Sequence, residues 1–429
     1  RSMTLSPGNA AFCGNYVMAL LYAGSTSAAE LRVAAGREVA SRRKSRGSGA
    51  TFASGSKSAL RLGFVSADLC SHPVGETLLS VIEAIDRREA EVYLYANVAR
   101  PDEVSERFVS LSDGWRLIAD RSDDEVVSDV RRDGIDVLVS VAGHTAGGRL
   151  PVFASRAAPV QASLYDLTTT GLAEMDYWIG DEATTPVGTP ELFSETILRL
   201  PCWYVFRRPP AEPPVSTLPG LASGRVTFGC FNNPAKLSPS TLSTWAAVMQ
   251  AVPGSRLLLK YLHFYEDQSL RAHIRSSFVR SGVSADRIEF EVGSTAGSAH
   301  LSIYHHVDIA LDPFPFVGCN ATFQALWMGV PVVTLAGERF IARMGAGFLP
   351  LVGLGRLVAA DHRSYVDIAA GLANDLPALA ALRANLRDRV IASPLCDAQN
   401  YAKSLVLVLG HAAMRARATG HDADRRVRG

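Results

Sequence analysis

The sequence predicts an α/β protein with two doubly wound, parallel-sheet domains, joined by a proline-rich segment and preceded by a short helical piece. Three observations carry this. Short apolar runs of strand type alternate with helical stretches from Leu60 to about Met414, the pattern of βαβ units with helices on both sheet faces. The alternation breaks at residues 207–224, RRPPAEPPVSTLPGLASG, too proline-rich to join a core element and read as an interdomain linker. Residues 307–335 then read as strand, glycine-bearing loop, helix and strand, with Gly329 and Pro331 stopping the helix.

Taken in order, Asn9–Leu21 and Thr26–Ala40 read as a helical hairpin, so residues 1–45 resemble the last unit of a helical repeat. Residues 41–58, rich in Arg, Ser and Gly, read as a linker. The first α/β half, 59–206, has strands at Leu62–Ser66, Glu91–Ala96, near Trp115–Ile118, and at Ile135–Val141, Pro159–Leu164 and Tyr177–Gly180. Helices are expected at Glu76–Arg87, Glu103–Ser110 and Asp123–Asp133. The second half, 225–410, has strands at Val226–Phe231, Arg256–Tyr261 and Ile288–Glu291, and the 307–335 stretch closes its sheet. Ser238, with Pro239 after it, opens a helix to Ala251. Further helices are expected at Glu266–Ser281, Arg339–Leu349 and Ser364–Asp375, then from Leu376 to Met414 with a break at Ser393-Pro394. The charged, aperiodic residues 415–429 are expected to be a disordered tail.

Composition narrows the function. With 48% hydrophobic and 20% charged residues, the 429-residue chain should bury large cores. A net charge of +1 carries no nucleic-acid footprint. No apolar run reaches the roughly 20 residues of a membrane span, and residues 11–24 lack a signal-peptide charge pattern. The six scattered cysteines have no metal-ligand or disulfide spacing, which points to reduced thiols in a cytoplasmic protein. Lysine is restricted to Lys44, Lys57, Lys236, Lys260 and Lys403 against a large excess of arginine. That bias fits a high-GC bacterial genome and makes a lysine in a pocket-like loop informative.

Ligands of doubly wound sheets sit at the carboxyl ends of the strands. Gly318, Cys319, Asn320, Ala321 and Thr322 open a helix there with small residues, and a helix N-terminus favours a phosphate. Lys236 lies on the same edge, so the two make a diphosphate site. His72 and His144 follow strands of the first half, and Tyr165–Gly171 offers hydroxyls to a sugar or phosphate. The ligand is expected in a cleft between the halves. No GxGxxG follows the first strand and no GxxxxGK[ST] occurs, which disfavours a dehydrogenase or kinase.

Several segments then resemble one family in its order. They are Gly63-Phe64-Val65-Ser66-Ala67-Asp68 with His72-Pro73, residues 133–139 (DGIDVLV) with Gly143-His144-Thr145-Ala146-Gly147, and Pro159-Val160-Gln161. Further along come Thr170-Gly171 through Met175-Asp176-Tyr177, residues 231–236 (FNNPAK) with 238–241 (SPST), and 308–312 (DIALD) with 325–331 (ALWMGVP). Over about residues 60–410 the chain resembles the catalytic region of the O-GlcNAc transferases, a group that includes the Spindly-type transferases. This resemblance implies a GT-B fold of two Rossmann-like halves, the first on the acceptor side and the second binding a nucleotide sugar.

The resemblance also implies inverting transfer without a metal or other cofactor, best matched by GlcNAc moving from UDP-GlcNAc to a protein or peptide Ser/Thr. Lys236 matches the essential lysine, and Asn233 a nearby amide. His300 matches a nucleotide-site histidine, with residues 293–297 bordering the base. His72 stands where a general base can act, and His144, with Thr169 and Thr170, on the sugar and acceptor side. Departures occur at Tyr165–Thr169, at Gly318-Cys319-Asn320-Ala321, and at Gln324, which replaces an acidic residue that meets the ribose. They leave open a GDP-fucose or UDP-glucose donor and a small-molecule acceptor. They also leave open an epimerase or hydrolase on the same fold, and a non-catalytic sugar-nucleotide-binding scaffold.

Overall fold

The computed structural model describes residues 10–24, 26–42, 59–141, 143–209, 212–293 and 297–427. The chain forms two units. The first comprises Arg1–Leu21, Thr26–Arg207 and Asp397–Gly429, the second Tyr22–Ser25 and Arg208–Cys396. The division at 207/208 falls at the start of the proline-rich segment. That segment is largely irregular but carries a short helix, α7, at Pro219–Ser223.

The first unit opens with α1 (Ala10–Tyr22) and α2 (Ala28–Arg42). Ser27 and Glu30 cap each other's backbone at the start of α2, at 2.8 and 3.2 Å. Val17, Leu31 and Ala35 are buried. Residues 1–9 and the expected linker at 43–58 lie outside the described residues.

Its sheet then follows the expected order of elements: β1 (Leu60–Ser66), α3 (Pro73–Ala84), β2 (Ala90–Ala96), α4 (Glu103–Leu111), β3 (Gly114–Leu117), α5 (Asp123–Asp133) and β4 (Val137–Ser140). After them come the short helix α6 (Leu150–Ala154), β5 (Val160–Ser163), β6 (Tyr177–Asp181) and β7 (Thr196–Leu200). All seven strands are parallel, in the order β3-β2-β1-β4-β5-β6-β7. β4 and β5 are buried at every position; β4 accordingly shows the apolar run Val137–Val139, whereas β5 also buries the polar Gln161 and Ser163. The order reverses between β1 and β4, so the crevice of this sheet lies above the loops that follow those two strands.

The second unit has β8 (Thr227–Cys230), α8 (Pro239–Ala251), β9 (Arg256–Lys260), α9 (Gln268–Arg280), β10 (Ile288–Glu291), α10 (Gly297–Ser302), β11 (Ile309–Leu311), α11 (Asn320–Trp327), β12 (Val332–Leu335), α12 (Met344–Leu351) and β13 (Val358–Ala359). Two helices follow, α13 (His362–Ala373) and α14 (Leu376–Ile391). Its six strands are parallel in the order β10-β9-β8-β11-β12-β13, and the reversal falls between β8 and β11. Phe228, Trp245, Leu257, Phe278, Ile309 and Tyr365 form the centre of its core.

Four expectations are corrected here. The 307–335 stretch does not close the second sheet, because β13 pairs outside β12. A two-residue strand is too short to show a period. The helix expected at Arg339–Leu349 is a 3₁₀ turn, Phe340–Ala342, followed by α12. The last helix, α15 (Ala398–Val427), belongs to the first unit rather than to the second half. Within that unit Tyr401 donates its hydroxyl to the Trp203 carbonyl at 3.0 Å, and Arg417 pairs with Asp136 at 2.7 Å. The tail expected to be disordered from 415 is helical to Val427; its alanines and arginines continue a helix already nucleated. Among the described residues no helix is long and apolar enough to cross a membrane.

Candidate functional site

The switch point of the second sheet gathers the groups expected to meet an anion. After β8 the chain makes a 3₁₀ turn, Pro234–Lys236, capped by Asn233, whose Oδ1 accepts the Ala235 N–H at 3.0 Å. Asn233 therefore holds the turn that aims the lysine. Lys236 Nζ donates to the Val317 carbonyl at 2.8 Å and approaches Asn232 Oδ1 at 3.5 Å. It stands 4.2 Å from the centre of the Phe316 ring, a cation–π distance. Burial lowers the Lys236 pKa, and the nearby Asp312 carboxylate opposes that shift.

After β11, the buried Asp312 accepts the Gly318 N–H on Oδ1 at 2.7 Å and the Thr334 hydroxyl on Oδ2 at 2.8 Å. Burial pushes its carboxyl up to about 7. Gly318 thus directs its N–H at Asp312, whereas the sequence placed it among the groups facing a ligand. Cys319 takes the N-cap position of α11. Helix geometry leaves the N–H groups of Asn320, Ala321 and Thr322 without an intrahelical acceptor, at the positive end of the dipole. The Thr322 hydroxyl is buried and has no hydrogen-bond partner among the described residues.

A second cluster lies beside it. His300, on α10, has Lys260 Nζ 2.7 Å from Nδ1 and Gln324 Oε1 3.0 Å from Nε2. Its ring centre is 6.4 Å from that of Phe231 and 6.2 Å from that of Tyr304. Burial lowers the His300 pKa; the Gln324 hydrogen bond opposes this and the Lys260 charge adds to it. Of the residues expected to border the base, 294–296 lie outside the described residues.

In the first unit, His72 and His144 follow β1 and β4, the two strands at that sheet's switch point. His72 caps α3, its Nδ1 accepting the Val74 N–H at 3.3 Å, and Asp68 Oδ1 lies 3.4 Å from the same nitrogen. Nearly half of the His72 side chain is exposed (45%). Gly75 lets this loop close: a Cβ there would lie 2.2 Å from the Asp68 carbonyl oxygen and 2.3 Å from that of Cys70. His144 is buried, with Nε2 2.9 Å from the Thr169 carbonyl.

The hydroxyls expected to meet a sugar are turned inward. Thr169 Oγ1 donates to Glu195 at 2.7 Å, and the Thr170 N–H donates to the same carboxylate at 2.7 Å. Thr169 is 1% exposed and Thr170 is fully buried. The two threonines stabilise the loop from within, around a buried glutamate whose distance in sequence hid the pairing.

The sequence reading assigns no role to Lys260 or to the Asp312 carboxylate, and it takes Thr322 only as one of the residues that open α11. Lysine scarcity and the strand-end positions of Lys260 and Asp312 are the signals that point to two of them. Among the described residues no group of three or more His, Cys, Asp or Glu side chains could hold a metal ion.

The chain belongs to glycosyl transferase family 41, whose model matches residues 48–206 and 215–405. It is 36% identical over 352 residues to a protein of Arabidopsis thaliana described as "Probable UDP-N-acetylglucosamine--peptide N-acetylglucosaminyltransferase SPINDLY", covering 81% of this chain and 38% of that one. A second Arabidopsis relative, similarly described and designated SEC, is 30% identical over 358 residues, covering 81% of this chain and 36% of its own length. The chain therefore spans well under half of these relatives. Among solved structures, a variant of Thermobaculum terrenum O-GlcNAc transferase matches with a TM-score of 0.90 and 33% identity, over 97% of this chain and 80% of that one. The fold is thus GT-B, as the resemblance implied.

Proposed function

We propose that this chain is the catalytic region of an inverting glycosyltransferase that moves GlcNAc from UDP-GlcNAc to a Ser or Thr hydroxyl of a protein or peptide, without a metal ion. The observation that carries the reading is the convergence, at one switch point, of Lys236 and the N-terminus of α11. Breaking the glycosidic bond leaves negative charge on the nucleoside diphosphate, and fixed donors aimed at that charge stabilise the transition state. The α11 N–H groups and the Lys236 ammonium supply such donors. An arriving diphosphate also compensates the burial that lowers the lysine pKa, so it favours the charged form that binds it.

Metal independence is supported by the donor set. Both Asp312 oxygens already accept hydrogen bonds, and burial favours the protonated form of that carboxyl. For the acceptor, His72 is assigned as the base that takes the hydroxyl proton on Nε2, which requires Nδ1 to change from accepting the Val74 N–H to donating to Asp68 Oδ1, 3.4 Å away. The relatives' descriptions, which give UDP-N-acetylglucosamine as donor and peptide as acceptor, support the substrate assignment.

The test is incubation with UDP-GlcNAc and a panel of Ser/Thr peptides, with and without a chelator, reading UDP release and peptide mass. Chelator-resistant UDP release, with peptide gaining one GlcNAc, is expected. UDP release without modified peptide would favour hydrolysis or another acceptor. Stabilisation by GDP rather than UDP would point to a fucose donor. Nucleotide binding with no turnover on any acceptor would leave a non-catalytic binder.

A further inference from the structure

Lysine carries three N–H donors and no acceptor. Lys260, at the end of β9, is 1% exposed, and its Nζ lies 2.7 Å from His300 Nδ1. A protonated amine at that distance requires Nδ1 to accept. The imidazole must then be neutral and carry its hydrogen on Nε2. Nε2 lies 3.0 Å from Gln324 Oε1, so this N–H donates to the amide oxygen. With its oxygen held there, Gln324 turns its amide N–H₂ away from His300. One buried, donor-only side chain thereby fixes the hydrogen-bond direction along three residues drawn from β9, α10 and α11.

We infer that Lys260 is a positioning residue of the donor site: through the neutral His300 it orients Gln324 so that the amide N–H₂ is presented to an acceptor oxygen of the nucleoside. The inference rests on the nucleotide-sugar reading of this site. The chain of contacts is well supported from below. Phe231 and Tyr304 flank the imidazole, and the Tyr304 hydroxyl donates to the Ala321 carbonyl at 3.2 Å, tying this ring cluster to the first turn of α11. Burial and the Lys260 charge both favour the neutral imidazole; burial lowers the Lys260 pKa as well, and the Glu291 carboxylate opposes that shift. The hydrogen-bond distances set one polarity for the three residues, with the ammonium as source and the Gln324 N–H₂ as outlet.

The experiment uses the whole chain labelled with ¹⁵N-histidine, with the His300 signals assigned by their loss in His300→Gln. In the nucleotide-free protein at pH 7, His300 is expected to show the neutral Nε2–H tautomer. Lys260→Met, which keeps the length of the side chain and removes its donors, is expected to release that tautomer and raise the imidazole pKa. A Nδ1–H tautomer, or an unchanged spectrum in a folded Lys260→Met, would overturn the relay. Calorimetric titration with UDP gives the second arm. Lys260→Met and Gln324→Leu should each weaken UDP about tenfold, and the double variant little more than either, because both break one chain. Fully additive losses would overturn the coupling. Absence of UDP binding by the unaltered chain would remove the functional reading, and the tautomer spectra would still decide the relay.

Discussion

Asp312 Oδ1 accepts the Gly318 N–H at 2.7 Å, so the carboxylate at the tip of β11 tethers the glycine that leads into α11. The glycine is required by crowding rather than by backbone angle. A Cβ at 318 would meet Thr322 Oγ1 at 2.7 Å, Asp312 Oδ1 at 2.9 Å and Asn232 Oδ1 at 3.1 Å. Gly318→Ala should therefore cost about 1–3 kcal/mol, the usual range for overpacking. It should also weaken nucleotide binding, since Asn232 contacts the Lys236 ammonium. Denaturant unfolding and UDP titration on one preparation check both, and a variant as stable and as tight-binding as the parent would contradict the packing argument.

Lys236 should show opposite signs in function and stability. Its side chain is half-buried in the nucleotide-free protein and burial lowers its pKa, with the Val317 carbonyl and the Phe316 ring as its close contacts. Lys236→Met removes that desolvation cost, so the nucleotide-free Tm should stay level or rise. Transfer should fall about 10²-fold or more, as when one oxyanion donor is lost. The thermal shift given by UDP, worth about 2.7 kcal/mol at a hundredfold excess over Kd, should shrink in the variant. Unimpaired transfer in the folded variant would remove Lys236 from the mechanism.

The sheets were legible in the sequence because buried parallel strands leave continuous apolar runs, as at β4 and at Leu257–Leu259 of β9. What escaped depends on contacts distant in sequence. Nothing local tells that α15 returns to the first unit, where Tyr401 meets Trp203, 198 residues earlier. The site divides the same way. Lys236 stands out as a rare lysine in a loop, whereas Lys260 closes an apolar strand, RLLLK, and resembles a solvent-facing end. Its partner His300 lies 40 residues on. The hydroxyls of Thr169 and Thr170 looked available because Glu195, which holds them, is a strand-edge residue some 25 positions later.

Asp312 should make the nucleotide-free protein less stable as pH rises toward neutrality. Its folded pKa, about 7, lies above the ordinary aspartate value of 3.8. Between those values the native state binds more protons than the unfolded chain, so stability falls with rising pH, by at most about 1.4 kcal/mol per unit. The contribution is fully present below about pH 4 and gone once pH passes the folded pKa. Other buried carboxyls, Asp308 and Asp166 among them, are raised too. The informative quantity is therefore the difference in pH slope between wild type and Asp312→Asn, read from urea midpoints between pH 5 and 8. A flatter slope in the asparagine variant is expected, and identical slopes would show that Asp312 ionises normally.

His72 combines two tasks that substitution can separate. Its Nδ1 caps α3 by accepting the Val74 N–H at 3.3 Å, and its ring is the base candidate beside Asp68. Alanine loses both tasks. Asparagine is among the best N-cap residues but cannot take a proton at neutral pH. His72→Ala should therefore lose about 1 kcal/mol of stability together with transfer, whereas His72→Asn should keep its stability and still lose transfer by about 10²–10⁴-fold, the usual worth of a general base. UDP binding should be intact in both, because the proposed donor groups all lie in the second unit. Transfer retained in His72→Asn would assign the histidine to helix capping alone and move the search for the base elsewhere.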